Sequence, residues 1–360
     1  MTDKMKGVTL VADWDPKPEF ELGPKGVEGE QTYLGSKVWR NPELKIMEHD
    51  VPEPGPEEVM IEVKACGICG SDVHMAQPDD DGYIFYPGLT GFPSILGHEF
   101  SGRVVKAGKD AKNKRTNEPF EAGEPVTAEE MLWCSQCKPC ADGYPNHCEN
   151  LDELGFNING AFTKYVVVPS RVVWSLKPLE EVYEGNDIFL AGSLVEPTSV
   201  AYNAVVERGG GIRPGDNVVI CGGGPIGVAA CAVMKRQGAG KVILSEPVTE
   251  RAELGKKLGA DVVINPLEED FTERVLELTD GMGANLYLEA TGLPTEVYPG
   301  IEQAIWQGKA LNSTVVVVAR ADAKMPVTGE VLQVRRAEIV GSQGHSGHGT
   351  FPRVIQSMAD

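Results

Sequence analysis

The chain has 360 residues, of which 41% are hydrophobic and 24% charged, so it is long enough to bury two separate cores, and two domains are expected. Its formal net charge of −20 argues against a nucleic-acid partner, because binding to phosphates depends on clustered Lys and Arg. No stretch has the roughly 18 consecutive apolar residues of a membrane span and the N-terminus has no apolar signal-peptide core, so a cytoplasmic location is predicted.

Two short segments of the N-terminal half contain metal-binding side chains, "VKACGICGSDVH" (residues 63–74) and "LGHEF" (residues 96–100). Cys69, His98 and Glu99 offer a thiolate, an imidazole and a carboxylate. A catalytic zinc uses such a mixed set when it keeps one coordination position for substrate. A single His or Glu is more often hydrogen-bonded or solvated, so this prediction depends on the three residues together.

The stretch "MLWCSQCKPCADGYPNHCEN" (residues 131–150) holds four of the eight cysteines. In a reducing compartment, clustered cysteines bind metal more often than they form disulfides. Four thiolates close a tetrahedral zinc site with no open position, which is typical of a structural zinc. Lys138, Pro139 and Gly143 favour a tight loop here rather than a helix or strand. The predicted structural ligands are Cys134, Cys137, Cys140 and Cys148.

From about residue 217 the sequence alternates short apolar runs with amphipathic ones. The runs "NVVIC", "KVILS", "DVVI", "NLYLE", "STVVVVA" and "EIVGS" are continuous and apolar, as expected of parallel strands covered on both faces. The intervening "IGVAACAVMKRQG" and "TERAELGKKLG" are predicted helices that end at Gly238 and Gly259. This alternation predicts a doubly wound parallel sheet, an α/β fold.

The motif "GGGPIG" (residues 222–227) follows the first of these strands and opens the first helix. In a G-x-G-x-x-G turn the first glycine allows the turn, the second admits a pyrophosphate and the third lets helix and strand pack closely. The pyrophosphate then lies at the helix N-terminus, whose free N–H groups favour an anion. The predicted dinucleotide-binding residues of this turn are Gly222, Gly224, Pro225, Ile226 and Gly227.

Glu246 ends the second apolar run, nineteen residues after Gly227. A carboxylate at this point can bind the ribose hydroxyls of NAD and repels the additional phosphate of NADP, so NAD is the predicted cofactor. Arg251 leaves an alternative open, because a nearby Arg can accommodate that phosphate, although a solvated helix Arg is the commoner case.

The segments "GICGSDVH" and "GHE" and the four-cysteine stretch, in that order, resemble the zinc-dependent medium-chain dehydrogenase/reductase family. The resemblance implies that Cys69, His98 and Glu99 bind a catalytic zinc. Glu196 of "SLVEPTSVAYNAV" matches the acidic residue that polyol-dehydrogenase members place beside this metal. Whether Glu99 or Glu196 contacts zinc directly stays open.

The same resemblance implies further roles near the metal. Ser71 and His74 match a relay that carries the substrate proton through the nicotinamide ribose to solvent, and Asp72 is interpreted as a residue that orients a metal ligand. Two zinc ions per chain, one catalytic and one structural, are expected. A homodimer or homotetramer with paired strand edges is implied by the family alone.

The implied fold is a GroES-like β-rich catalytic domain (residues 1–198), a Rossmann NAD-binding domain (residues 199–342) and the start of a return to the catalytic domain (residues 343–360). Family members continue beyond this point, so the remainder of that return is expected to be missing. The implied function is hydride transfer between NAD and a small secondary alcohol, namely a polyol, cyclitol or sugar derivative such as an inosose. A threonine-type amino-alcohol dehydrogenase and a non-catalytic zinc-stabilised nucleotide-binding protein are the alternatives.

Three other stretches have no assigned role. Extra residues between residues 20 and 41, relative to short family members, could cover the active-site mouth or decorate the surface. Residues 76–96 could line the substrate pocket, although their Tyr83, Phe85 and Tyr86 could equally form local core. His345 and His348 of "GHSGHG" could suggest a third metal site, but a mobile glycine-rich loop is the preferred interpretation.

Overall fold

The computed structural model describes residues 3–345 and 347–360. It divides into two compact units: one ends at Glu196 and also includes Phe351–Asp360, and the other is Pro197–Thr350. Within the described residues, the helices are all too short or too polar to cross a membrane.

The first unit is built mainly from antiparallel strands. Its elements in chain order are β1 (Lys4–Trp14), α1 (Pro24–Gly29), β2 (Trp39–Asp50), β3 (Glu58–Gly67), α2 (Gly70–Ala76), β4 (Ser94–Ile95), β5 (Glu99–Ala107), β6 (Pro125–Ala128), β7 (Met131–Leu132), α3 (Lys138–Ala141), β8 (Asp152–Glu153), β9 (Tyr165–Pro169), β10 (Val173–Ser175) and α4 (Asp187–Ser193).

These strands form a five-stranded sheet of order β10-β6-β5-β3-β9, a three-stranded sheet of order β2-β1-β4 and the small β7-β8 ladder. The main core of the unit packs on the five-stranded sheet and includes the fully buried Val59, Ile61 and Phe100. In the β3–β5 ladder, Gly67 is opposite Glu99. This register brings the end of β3 beside the beginning of β5. The predicted metal ligands Cys69, His98 and Glu99 lie at or next to these two strand ends.

The second unit is an α/β structure. Its elements in chain order are α5 (Val195–Tyr202), which begins in the first unit and continues as a π-helix over Asn203–Arg208, then β11 (Asn217–Cys221), α6 (Pro225–Arg236), β12 (Lys241–Ser245), α7 (Thr249–Lys257), β13 (Val262–Ile264), α8 (Phe271–Leu278), β14 (Leu286–Glu289), α9 (Pro294–Gln307), β15 (Thr314–Val317), α10 (Gly329–Arg335) and β16 (Glu338–Gly341). The last helix of the chain is α11 (Thr350–Ala359).

All six strands of this unit are parallel, in the order β13-β12-β11-β14-β15-β16. This is the order of a Rossmann sheet, and each predicted apolar run supplies one strand, so the predicted doubly wound sheet is confirmed. Helices α6 and α7 end just before Gly238 and Gly259, which adopt φ of +91° and +116°. Both glycines therefore end their helices as predicted.

The four-cysteine stretch differs from its prediction as a loop without helix. Residues Lys138–Ala141 form a single helical turn, α3, with Pro139 in its first positions. A proline suits that place because its fixed φ is helical and its missing N–H has no partner in a first turn. The prediction of a loop was therefore wrong for these four residues. Gly143, which follows shortly after them, adopts φ of +90° and turns the chain.

Candidate metal centres and nucleotide-binding turn

The four cysteines of the segment that we call the zinc lobe (residues 131–151) come together in space. The four sulfurs all lie within 4.8 Å of one another; they belong to Cys134, Cys137, Cys140 and Cys148. Cys137 Sγ is 3.4 Å from Cys140 Sγ and 3.7 Å from Cys148 Sγ, and none of the four forms a disulfide. Four sulfurs at these separations suit one tetrahedral soft-metal site.

Backbone N–H groups donate to the sulfurs of the zinc lobe. Gln136 N donates to Cys134 Sγ at 3.4 Å, and Cys148 Sγ accepts from Cys134 N and Asn150 N, each at 3.3 Å. Such bonds from Gln136 and Cys137 lower the pKa of Cys134 to about 6, because they favour the thiolate. By contrast, burial and the neighbouring thiols raise the pKa of Cys140 to about 12, as expected where several thiolates would repel one another without a cation.

The second cluster is assembled from residues distant in sequence. Cys69 is the N-cap of α2, two residues after the end of β3, while His98 directly precedes β5 and Glu99 is its first residue. Their ligand atoms are within 4.8 Å of one another, with His98 3% and Glu99 6% exposed. A Cβ on Gly67 would lie 2.2 Å from Glu99 Oε2, so the glycine opposite Glu99 leaves space for its carboxylate.

Asp72 supports two parts of this cluster. Its carboxylate accepts from Cys69 N at 2.9 Å and from Gly97 N at 3.3 Å, and one oxygen lies 3.8 Å from His98 Nδ1. The Asp72 backbone N–H in turn donates to the Cys69 sulfur, completing a capping box. The carboxylate thus fixes the backbone before both Cys69 and His98.

The second cluster brings several ionisable groups together in a buried place, where their charged forms are costly unless a cation balances them. Burial raises the pKa of Glu196 well above its ordinary value, and Glu130 raises it further. Burial also raises the pKa of Glu99, although His98 and Cys69 oppose this effect. Burial would lower the pKa of His98, but Cys69, Asp72 and Glu196 raise it strongly. A donor set of one thiolate and several carboxylates around one imidazole is chemically suited to a divalent cation.

Glu196 is 4% exposed and belongs to this electrostatic environment, but it is not one of the trio whose ligand atoms lie within 4.8 Å of each other. Glu99, and not Glu196, therefore shares a cluster of close ligand atoms with Cys69 and His98. Two neighbours of the site had no signal in the sequence. Glu130 is one of many acidic residues, and Phe156, whose ring centroid is 4.6 Å from that of His98, is an ordinary core aromatic.

Ser71 and His74 both lie on α2, one helical turn apart. The Ser71 hydroxyl oxygen is buried and has no hydrogen-bond partner within the described residues, while His74 is exposed. A buried hydroxyl without a partner is costly unless another group binds it, which is compatible with a contact to substrate.

The glycine turn of the second unit has the features of a pyrophosphate-binding turn. Gly222 adopts φ of +100°, and a Cβ on Gly227 would lie 1.8 Å from the Gly222 carbonyl oxygen. A Cβ on Gly224 would meet no atom within 4 Å, so the backbone there is open to a ligand. Pro225 and Ile226 begin α6, whose N-terminal N–H groups follow this opening.

Glu246 follows β12, and its carboxylate accepts from Gly223 N at 2.6 Å and from Val248 N at 2.8 Å. It is 4% exposed and lies directly beside the glycine turn. Arg251 is an exposed residue of α7. The carboxylate rather than the guanidinium is therefore fixed at the turn.

The remaining predicted residues are distributed as follows. Tyr83 and Tyr86 are each 8% exposed and are core residues, whereas Phe85 is 53% exposed. His345 is buried and His348 is exposed, 4.0 Å from Glu207. Ser346, between them, lies outside the described residues.

Profiles of two known domains match this sequence. Residues 55–178 match the alcohol dehydrogenase GroES-like domain, and residues 225–360 match the zinc-binding dehydrogenase domain. The predicted GroES-like and Rossmann combination is thereby confirmed.

Three known proteins illustrate the similarity. Scyllo-inosose 3-dehydrogenase of Thermotoga maritima is 68% identical over 99% of this chain and 90% of its own. The structure of a putative alcohol dehydrogenase from Thermotoga maritima matches with a TM-score of 0.95 and 67% identity, over 99% of this chain and 90% of that one. A short chain alcohol dehydrogenase (rspB) from E. coli CFT073, complexed with NADH, matches with a TM-score of 0.74 and 25% identity, over 99% and 88% of the two chains.

These matches decide between the enzyme and the non-catalytic alternative, since they extend over both units and include a curated dehydrogenase of high identity. The chain therefore belongs to the zinc-dependent medium-chain alcohol dehydrogenase family and is a zinc-dependent dehydrogenase.

Proposed function

We propose that this chain transfers a hydride between NAD and a ring carbon of a cyclitol, with scyllo-inosose as the first candidate substrate. The observation that carries the proposal is the 68% identity to a scyllo-inosose 3-dehydrogenase over almost the whole chain. The formal net charge of −20 would repel a polyanionic substrate but not a small neutral one such as a cyclitol.

We assign the catalytic zinc to Cys69, His98 and Glu99, because their ligand atoms lie close together and form a mixed sulfur, nitrogen and oxygen donor set. When bound, a zinc ion acts as a Lewis acid that lowers the pKa of a coordinated hydroxyl and polarises a carbonyl. Glu196 lies in the same acidic environment and tunes the charge of the site from outside the ligand trio. Asp72 orients the ligands through the backbone on both sides.

Ser71 and His74 are the proposed proton path. The Ser71 hydroxyl, which has no partner among the described residues, would accept the proton of the substrate hydroxyl while it gives up its own proton, and the exposed His74, one turn along α2, would carry the released proton to solvent. The test is Ser71→Ala, which should lower kcat by roughly a hundredfold while the zinc content is unchanged. Unchanged turnover would remove Ser71 from the path.

The proposed cofactor site is the glycine turn with Glu246. Gly222, Gly224 and Gly227 shape the turn, Pro225 and Ile226 begin the helix behind it, and Glu246 binds the ribose hydroxyls. The fixed carboxylate favours NAD over NADP, and Arg251, which is exposed, does not reverse this preference. Glu246→Ala should reduce the ratio of kcat/KM for NAD to that for NADP. A wild-type preference for NADP would refute the assignment.

The zinc lobe is proposed to hold a second, structural zinc. Metal analysis should then find two zinc ions per chain, of which one is lost in Cys69→Ser.

A homodimer or homotetramer, inferred from family resemblance, is tested by light scattering.

The substrate proposal is tested by following the reduction of NAD through its ultraviolet absorbance with a panel of inositols, scyllo-inosose, sorbitol and threonine. The highest kcat/KM is expected for a cyclitol. Preferential oxidation of threonine would support the amino-alcohol alternative, and sorbitol would indicate an acyclic polyol. Cys69→Ser serves as the control for turnover that does not depend on the site.

A further inference from the structure

The segment before the family domain pairs along its length with a loop near the candidate active site. We call residues 32–41 the brace and residues 82–90 the pocket loop. Thr32 and Thr90 exchange two backbone hydrogen bonds, and Gly35 N donates to Gly88 O. Farther along, Ile84 N donates to Trp39 O and Asn41 N to Gly82 O. Five backbone bonds therefore align the brace with the pocket loop.

Polar side chains reinforce one end of this pairing. The Tyr83 ring has Lys17 Nζ at 4.4 Å from its centroid and the Arg40 guanidinium at 5.6 Å. The same Arg40 donates to Asp81 O and to the Asp15 carboxylate. The two hydrogen bonds of Arg40 are exposed, so each contributes little by itself. The contacts to Tyr83 and Asp81 join the N-terminal segment to residues 81–83, and the bond to Asp15 holds the Arg40 guanidinium in place.

The pocket loop in turn contacts the structures that carry the candidate catalytic residues. Phe85 N and Tyr86 N both donate to the carbonyl oxygen of His74, on helix α2. The Tyr86 ring lies 5.4 Å from that of Phe156, and Phe156 lies 4.6 Å from the imidazole of His98. A continuous series of contacts therefore runs from the brace through Tyr86 and Phe156 to a proposed zinc ligand.

These parts share one hydrophobic core. Val38 and Trp39 of the brace, Ile84 and Tyr86 of the pocket loop, and Met75 of α2 are all buried in a single cluster that also includes Phe156. Because close-packed interiors transmit small displacements, a shift of the pocket loop has to be accommodated by Phe156 or by α2. The brace itself lies before residue 55, where the match to the GroES-like domain begins.

We infer that the brace is a positioning element for the active site: it fixes the pocket loop and, through Tyr86 and Phe156, the imidazole plane of His98. This inference rests on the proposed function for its kinetic consequence, namely that the brace sets the efficiency with which a cyclitol is used. Its structural consequence, the orientation of His98, does not depend on which substrate is correct.

Gly35→Ala tests the inference by inserting a methyl group between the two segments. A Cβ at this position would lie 2.6 Å from Thr90 Oγ1 and 2.9 Å from Tyr86 O, so the pocket loop has to move. Gly29→Ala is the matched control, because the same methyl at residue 29, in α1, would meet nothing within 4 Å. Phe156→Leu tests the last contact, since it removes the ring that faces His98.

Imidazole nitrogen–proton NMR correlation spectra of the zinc-loaded protein give a readout that is independent of turnover. The chain has only 6 histidines, so the His98 signals can be assigned, and they are sensitive to the Phe156 ring current. We expect Gly35→Ala and Phe156→Leu to shift the His98 signals and Gly29→Ala to leave them in place. Gly35→Ala should also lower kcat/KM for the cyclitol roughly tenfold, with the Kd for NAD within about twofold of wild type.

If Gly35→Ala leaves both the His98 signals and kcat/KM at the values of Gly29→Ala, the inference is wrong. It is also wrong if only Phe156→Leu shifts the signals, because the brace then does not reach His98. Should Gly35→Ala fail to fold, Arg40→Ala loosens the same pairing at its other end and is judged by the same signals. If the wild type uses no cyclitol, the proposed substrate fails, while the NMR comparison still decides the role of the brace.

Discussion

The two candidate metal centres of the first unit are built in opposite ways. The zinc lobe takes its ligands from fifteen consecutive positions, Cys134 to Cys148, and three of these cysteines are only partly buried. The second cluster joins Cys69 to His98 and Glu99 across the β3–β5 ladder, and His98 and Glu99 are almost wholly buried. The zinc lobe can form from its own segment. The second cluster, which we call the dispersed centre, can form only after the β3–β5 sheet has folded.

The two centres also differ in what supports their ligands. In the zinc lobe the donors to sulfur are mostly backbone N–H groups, which every substitution except one to proline retains. In the dispersed centre a side chain, Asp72, supports the segments of two ligands. The comparison indicates that the lobe should tolerate changes around its ligands better than the dispersed centre does.

The largest effect is expected from Cys69→Ser. Loss of the thiolate should remove the metal of the dispersed centre and lower kcat/KM by about a thousandfold, since the charge stabilisation that a metal supplies is worth several kcal/mol. Kinetics together with metal analysis check this, and the zinc lobe should keep its ion. Loss of both metals would show that the two centres are not independent.

Cys148→Ser should have its main effect on stability. This buried sulfur contacts Cys137 and accepts two backbone hydrogen bonds, so the lobe should lose its zinc and become several kcal/mol less stable. Thermal unfolding and limited proteolysis of residues 131–151 measure the change. Turnover per folded molecule should stay near wild type at low temperature, and an immediate loss comparable to that of Cys69→Ser would contradict a purely structural role.

Asp72→Asn should weaken the dispersed centre without abolishing it. Asparagine keeps the shape of the side chain, but the negative charge near His98 is lost, and its NH2 group cannot accept the bond from one of the two backbone donors, Cys69 N or Gly97 N. Zinc affinity should fall about 10- to 100-fold, as is typical when a residue supporting a metal ligand is changed. Competition with a chelator measures this affinity, and the lobe zinc is the internal reference. A value equal to wild type would mean that backbone contacts are sufficient here as well.

Asn150→Ala should produce the smallest effect. The Asn150 side chain approaches Cys134 Sγ only at 3.9 Å, while its backbone N–H, which the substitution retains, donates to Cys148 Sγ at 3.3 Å. Zinc affinity of the lobe should change by no more than about threefold, the scale of a weak hydrogen bond. The same chelator competition applies, and a drop as large as that of Asp72→Asn would remove the proposed contrast between the centres.

The sequence by itself determined those features whose cause is local. The spacing of four cysteines, the apolar runs of the parallel sheet and the glycine turn each follow from a few neighbouring residues, and the confirmed strands and helix ends show this for the second unit. The one-turn helix α3 was missed because short helices depend on the surrounding packing more than on propensity.

Only the tertiary structure decided how distant residues meet. The β3–β5 register places Gly67 opposite Glu99, and the sequence cannot state this because a register depends on the pairing of whole strands. The positions of Phe156 beside His98 and of Glu130 near Glu196 had no signal in the sequence, because any core aromatic or acidic residue would look the same. Local chemistry is encoded in short patterns, whereas side-chain environments arise from contacts between segments far apart in the chain.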